Sequence, residues 1–201
     1  MRLFVRACLL SVAALMVAPA LGSAAAKFGA DLRNPGGSVV QPANAGHTCE
    51  ESGDGAIGGP CTRMPYDFDS DLAAKAPKDG KLKALKLVAL NPGSFRLYLG
   101  RATKLDGPGK GRLTRRGPRI AYEGDDDGTP GYDIETFRLG LLKVKKGERM
   151  ALKGDAFSAE TCNGGNERAL LFDPPLGLSD PLSKADARDD SCTYLLQLIY
   201  K

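Results

Sequence analysis

Hydrophobic and polar positions alternate in short runs cut apart by glycine, proline, asparagine and aspartate. Leu82 to Leu90 (LKALKLVAL) is a run of aliphatics with lysines at 83 and 86, and Asn91-Pro92-Gly93 stops it. Phe95 to Leu99 (FRLYL) then alternates at period two, and together the two runs predict a hairpin with a short turn. The first run also suits a helix, because Lys, Ala and Leu are good helix formers. Its shortness, the Asn-Pro-Gly stop and the alternating run behind it decide for a strand. Further strands are expected at Arg119 to Tyr122, Ile134 to Leu142, Arg149 to Lys153, Arg168 to Asp173 and Thr193 to Tyr200. Between them stand Gly128-Thr129-Pro130-Gly131, Lys145-Lys146-Gly147-Glu148, Asn163-Gly164-Gly165-Asn166 and a long loop from Pro174 to Ser191.

Short strands between glycine-rich turns, without an amphipathic stretch of helical length, predict an all-β fold. The expected architecture is a single antiparallel β-sandwich, jelly-roll-like, although a closed barrel uses the same strand text. Residues 27–79 are dominated by Gly, Pro, Asn and Asp and read as an extended N-terminal arm, leaving 80–201 as the sandwich domain.

Residues 1–26 read as a secretory signal peptide: Arg2 and Arg6 precede an apolar stretch from Ala7 to Val17, and small residues follow. Cleavage is expected after Gly22-Ser23-Ala24 or Ala24-Ala25-Ala26 in preference to Ala18-Pro19-Ala20. The apolar stretch is shorter than the roughly 20 residues of a membrane span, and Cys8 lies at its start, where a lipoprotein would have it at the end. A secreted or periplasmic product with no membrane span after signal removal is the expectation. Losing two arginines lowers 28 basic residues to 26 against 24 acids, a net charge of +2.

The mature chain keeps Cys49, Cys61, Cys162 and Cys192, an even number that implies disulfides in an exported chain. Cys49 with Cys61 and Cys162 with Cys192 is the simplest of three connectivities, and the first pair would staple the arm. A zinc site does not fit, since no two cysteines stand two to four residues apart and His47 is the only histidine.

Phe28-Gly29-Ala30-Asp31-Leu32, a two-cysteine loop ending Cys61-Thr62, Gly93-Ser94-Phe95-Arg96-Leu97, Thr136-Phe137, Val144-Lys145-Lys146-Gly147-Glu148 and a C-terminal aliphatic strand follow in order. In this order the chain resembles a group of uncharacterised secreted bacterial β-sandwich proteins with a two-cysteine N-terminal arm. Such proteins often carry a Trp in the first long strand, where this chain has Leu85 and Leu87. The resemblance implies a fold and an extracytoplasmic location and says nothing of activity.

Arg101 to Arg119 carries Arg101, Lys104, Lys110, Arg112, Arg115, Arg116 and Arg119 against Asp106 alone, a local charge of +6. Four glycines among them suggest a flexible loop. Lys110, Arg112, Arg115 and Arg116 are the anion-binding candidates, for lipopolysaccharide, acidic polysaccharide or teichoic acid. Nucleic acid is disfavoured because no aromatic between 101 and 119 is present to stack on bases. The plainer reading is a solvated loop that keeps a sheet edge soluble.

Next comes an acidic stretch of Glu123, Asp125, Asp126, Asp127, Asp133 and Glu135, oxygen ligands on a glycine-bearing loop of the kind Ca²⁺ takes. Asp125 and Asp127 are the metal candidates, and Ca²⁺ is the one cofactor these residue types suit. The EF-hand spacing is not met, either here or at Asp67 to Asp71, where Leu72 and Lys78 replace the required Gly and Glu. Loose pairing with the basic stretch is the simpler role for these acids.

Catalytic chemistry is thinly represented. His47 sits apart from any glycine-flanked nucleophile, and Gly107-Pro108-Gly109-Lys110-Gly111 lacks the order of a phosphate loop. Tyr98 projects opposite to Phe95, Leu97 and Leu99, toward solvent in a regular strand, although a single tyrosine there more often packs across strands than serves a ligand. The expectation is an exported, non-enzymatic binding or structural module whose partner is an anionic cell-envelope polymer or a surface protein. A carboxylate-dependent secreted hydrolase, Ca²⁺-assisted, and an anionic-polymer binder through 101–119 are its rivals.

Overall fold

The computed structural model describes residues 26–42, 47–48, 60–66, 72–103, 109–125, 132–154, 156–157, 159–161, 169–189 and 193–201. Among them there is no helix. The strands are β1 (Lys27–Gly29), β2 (His47–Thr48), β3 (Cys61–Pro65), β4 (Gly80–Leu87), β5 (Gly93–Ala102), β6 (Lys110–Tyr122), β7 (Glu135–Val144) and β8 (Arg149–Gly154). After these come β9 (Ala156–Phe157), β10 (Glu160–Thr161), β11 (Ala169–Phe172), β12 (Ser183–Lys184), β13 (Ala187–Asp189), β14 (Thr193–Tyr194) and β15 (Leu196–Tyr200).

Two antiparallel sheets carry the fold, a four-stranded one in the order β1-β15-β4-β7 and a seven-stranded one in the order β12-β6-β5-β8-β3-β11-β13. Two short ribbons, β2 with β9 and β10 with β14, accompany them. Alternation along each strand sends one set of side chains inward. Leu82, Leu85, Leu87, Leu196 and Leu198 from the first sheet join Phe95, Leu97, Leu99, Met150, Leu152 and Leu171 from the second in one continuous buried cluster. Burying each such side chain stabilises the fold by roughly 1.5–3 kcal/mol. Rings brace it at the ends, with Phe28 and Tyr200 at 6.0 Å and Phe95 and Tyr122 at 5.9 Å between centroids.

The outer face of the seven-stranded sheet carries a second cluster. Met64, Tyr98, Leu113, Ala151, Leu170 and Phe172 lie under Leu176 and Ala185. The segment that bears those two residues is tied down by backbone and side chains. Leu176 N donates to Thr62 Oγ1 at 3.1 Å, Ala185 N to Gly109 O at 2.9 Å and Asp173 N to Asp186 Oδ2 at 2.8 Å. Part of the outer face is therefore covered.

Several sequence expectations are corrected. The hairpin expected from Leu82 to Leu99 does not form: β4 pairs with β15 and β7, while β5 pairs with β6 and β8 in the other sheet. The connection holds Val88 and Ala89, both buried, which carry the chain across the core between sheets. The segment 27–79 does not stand apart as an arm. It supplies β1 to the edge of one sheet and β3 to the interior of the other, between β8 and β11. The expected flexible loop at 101–119 is mostly strand, since β5 runs to Ala102 and β6 starts at Lys110. Its alternation was hidden by two irregularities, between Arg96 and Tyr98 and between Leu99 and Gly100 in the pairing partner. Pro118 sits at the first of them, where an absent N–H is tolerated.

The second irregularity is held by a buried carboxylate. Thr114 is the extra residue there, since Leu99 faces Arg115 and Gly100 faces Leu113. Its hydroxyl lies 3.1 Å from Leu99 O and 2.8 Å from Glu148 Oε1. Glu148, 1% exposed, also accepts from Lys145 N at 2.7 Å across its own turn and lies 3.8 Å from Arg115 Nη2. One side chain thereby fixes both the β7–β8 turn and the register of β6.

Candidate functional site

Beside that cluster the outer face carries a shallow cationic groove. Arg96 on β5 stands directly opposite Arg119 on β6 and, on its other side, opposite Lys153 on β8. Residues directly opposite share a face, and strands lie about 4.8 Å apart, so the three cations form a row across three adjacent strands. Ser94, Phe95, Tyr98 and Gly154 complete the lining of a volume of ≈ 230 Å³. Among the described residues no acid lines it.

The flanking cations are anchored by neutral oxygens. Arg119 Nη2 donates to Ser94 Oγ at 2.9 Å and Lys153 Nζ to Leu176 O at 3.3 Å. Neither bond neutralises charge, and Arg96 between them forms no hydrogen bond or ion pair among the described residues. Like charges placed directly opposite cost roughly 0.2–1 kcal/mol per pair. Among the described residues nothing compensates this row, and such a row concentrates positive potential and attracts an anion.

The two ends of the groove differ. Next to Lys153 the row continues to Thr62 on β3, which is fully buried beneath Leu176. Past Arg119 hydrogen-bonded pairing stops, because β12 pairs with β6 only at Gly111 and Lys110, while Leu142 of β7 packs close to Gly117.

Of the four anion-binding candidates of the sequence, only Lys110 and Arg112 share a face, at the far end of β6 from the groove. Arg116 faces Tyr98 on the outer face, in the row next to the groove. Arg115 faces Leu99 and is engaged by Glu148 on the inner side. Arg112 faces Arg101, and Lys110 faces Lys184, at the far end of β6. Arg96 and Lys153 carry more of the groove than any of these, and neither stands out in sequence: Arg96 is the lone cation of its strand's outward set, and Lys153 shares its set with Arg149, which lies over the Tyr66 ring. The signal for Arg96 was nevertheless in FRLYL, which places it opposite the core residues. Tyr98 is a packing partner, 9% exposed in the second cluster.

In the acidic stretch the described carboxylates hold backbone. Glu135 accepts from Glu123 N at 3.2 Å and Gly124 N at 3.0 Å, and Asp125 Oδ2 accepts from Asp133 N at 2.9 Å. Asp127 lies outside the described residues, as do residues 67–71 and the expected signal peptide up to residue 25. Among the described residues no three His, Cys, Asp or Glu side chains gather in a way that would hold a metal ion. Cys61 is disulfide-bonded, and Cys49, Cys162 and Cys192 lie outside the described residues. A buried Arg63 on β3 donates to Tyr194 Oη at 3.2 Å, an inward polar pair with no motif to announce it.

Comparison of the chain with protein-family models, with curated proteins and with solved structures finds no match.

Proposed function

We propose that the protein is an exported binding module that takes an anionic cell-envelope polymer on the groove formed by Arg119, Arg96 and Lys153. The observation that carries this reading is the row of three cations across adjacent strands, with no acid among the described residues of the lining. Such a row destabilises the free protein slightly and is relieved by an anion. The two packed sheets are read further as a jelly-roll-like sandwich, with Cys49 paired to Cys61 and Cys162 to Cys192, in a secreted or periplasmic protein. The disulfide on Cys61 supports an oxidising compartment. A carboxylate hydrolase finds less support, because Glu135 and Asp125 are occupied by backbone N–H groups.

The test is retention of the oxidised mature protein on immobilised anionic polymers at low and physiological salt. Retention is expected to weaken with salt and to be lost in the Arg96→Gln, Arg119→Gln, Lys153→Gln triple variant. A Lys110→Gln, Arg112→Gln variant, altered at the far end of β6, is expected to bind as the parent does. The reverse pattern would move the site to that end and reject the groove. A non-reducing peptide map that joins Cys61 to a residue other than Cys49 would reject the proposed pairing.

A further inference from the structure

We infer that the outer face of the four-stranded sheet docks on an anionic phospholipid bilayer, with Leu141 entering the headgroup layer among exposed cations. This surface lies apart from the groove. The two sheets meet through one core, so their outer faces point away from each other.

The face is cationic. Lys81 on β4 stands directly opposite Lys143 on β7, Arg138 opposite Ala84, and Lys86 opposite Thr136. Their neighbours along the strands, Leu82, Leu85, Leu87, Leu139 and Val144, are buried in the core, so alternation turns these cations outward. Lys81, Lys83, Arg138 and Lys143 are exposed and Lys86 is half-buried. None of the five side chains forms a hydrogen bond or ion pair among the described residues, and no acid stands among the outward residues of β4 and β7.

Leu141 is an independent observation on the same two strands. The register passes from Leu82 opposite Leu142 to Ala84 opposite Arg138, so Lys83 alone faces Leu139, Gly140 and Leu141, and two extra residues bulge from β7. Gly140 and Leu141 both have positive φ, 58° and 61°. A Cβ added to Gly140 would meet nothing within 4 Å, and Leu141 is 39% exposed. The left-handed conformation strains a leucine where glycine or asparagine adopts it readily, and partial burial returns little. Bulges and lysines also guard a sheet edge against pairing with another chain, but a polar or glycine tip serves that purpose better than an aliphatic one. A leucine in a bulge between Arg138 and Lys143, opposite Lys83, suits a layered partner instead: cations meet lipid phosphates and the aliphatic chain enters the acyl boundary. A soluble polyanion would use the lysines and leave Leu141 idle. On the function proposed above, the groove then faces away from the bilayer.

The experiment is co-sedimentation of the oxidised mature protein with vesicles of phosphatidylcholine alone, and of phosphatidylcholine and phosphatidylglycerol in equal parts. Binding is expected to the mixed vesicles only, and to weaken with salt. A Lys81→Gln, Lys143→Gln variant should bind about 25-fold more weakly, at about fivefold for each cation near the surface. Leu141→Asn should bind about tenfold more weakly while melting at the same or a higher temperature, since asparagine accepts the left-handed backbone. The chain has no tryptophan, so Leu141→Trp introduces a single emission probe. Leu178→Trp is its control, placed at a 47% exposed leucine on the segment that covers part of the other sheet. The first is expected to shift to the blue on mixed vesicles and the second to stay unchanged.

A blue shift at position 178 and not at 141, or at neither, would overturn the inference, as would parent-like binding by Leu141→Asn or by the double lysine variant. The Arg96→Gln, Arg119→Gln, Lys153→Gln variant should bind vesicles as the parent does, whatever becomes of its polymer retention. Loss of vesicles in that variant would assign the lipid to the groove and overturn this face. Dextran sulfate retained by the parent and released by the double lysine variant, with no vesicle bound, would overturn the bilayer as occupant.

Discussion

Glu148 offers a way to separate charge from hydrogen bonding in the buried joint that sets the register of β6. Glu148→Gln keeps the shape and replaces one oxygen by an amide. If the remaining oxygen accepts from Lys145 N, the new amide donates to Thr114 Oγ1, whose single proton turns to Leu99 O, 3.1 Å away. Every hydrogen bond then survives in altered form, and the loss is the charge set against Arg115 at 3.8 Å. The Arg115 side chain is 29% exposed, so solvent screens the pair and the cost is at most about 1 kcal/mol. Glu148→Ala instead strips the acceptor from Lys145 N and Arg115 and leaves a void. One donor left without its acceptor in this part-buried turn costs about 1 kcal/mol, and with the void the loss comes to about 2–3 kcal/mol. Chemical denaturation checks both, and melting should fall by roughly 2–4 °C per kcal/mol for a chain of this size. Equal destabilisation by Gln and Ala would refute the reasoning, since it would make the charge, and not the hydrogen bonds, the stabilising element.

Three further perturbations read other parts of the fold. Arg96→Gln should leave stability unchanged or raise it by about 0.5 kcal/mol, because it removes like-charge opposition to both neighbours; a loss above 1 kcal/mol in denaturation would show that the cation is structural. Gly29→Ala should cost about 2 kcal/mol or more, since Gly29 has φ +112° and an added Cβ would strike the carbonyl oxygen of Leu196; an unaltered melting temperature would contradict the β1–β15 pairing. Burial raises the Tyr200 phenol above its ordinary 10.0, and its hydroxyl donates to Lys78 O. The unfolded chain releases this proton first, so stability present below pH about 10 is lost as pH rises toward the folded value. Tyr200→Phe should therefore flatten the alkaline limb of stability against pH, and identical limbs in parent and variant would exclude Tyr200 as its source.

Strands with one wet and one dry face were legible in the sequence, because period-two alternation is a direct record of that asymmetry. Phe95 to Leu99 and the aliphatic end of the chain are of this kind. β3 was not, since Cys61–Pro65 is buried on both faces and its string CTRMP has no alternation to show. Its Arg63 reads as a surface residue until Tyr194 is brought to it from the other end of the chain. β6 was masked for a different reason: two irregularities shift its phase twice, and Gly117-Pro118 imitates a loop. The misplaced hairpin shows the limit of sequence proximity, as β4 and β5 each find two better neighbours in separate sheets.

The same physics explains why the groove was missed where charge was densest. Along a strand, alternation divides a basic run between two faces, so the +6 stretch is spread over the groove side, the Glu148 joint and the far end of β6. Across a sheet, antiparallel pairing does the opposite, setting residues remote in sequence about 4.8 Å apart on one face. Arg96, Arg119 and Lys153 each look ordinary in their own segments, and only the two registers of β5, with β6 and with β8, add them together. Charge density along the chain is thus a poor guide to charge density on a β face. The informative quantity is the outward residue of each strand at a common level, which requires the pairing order before it can be read.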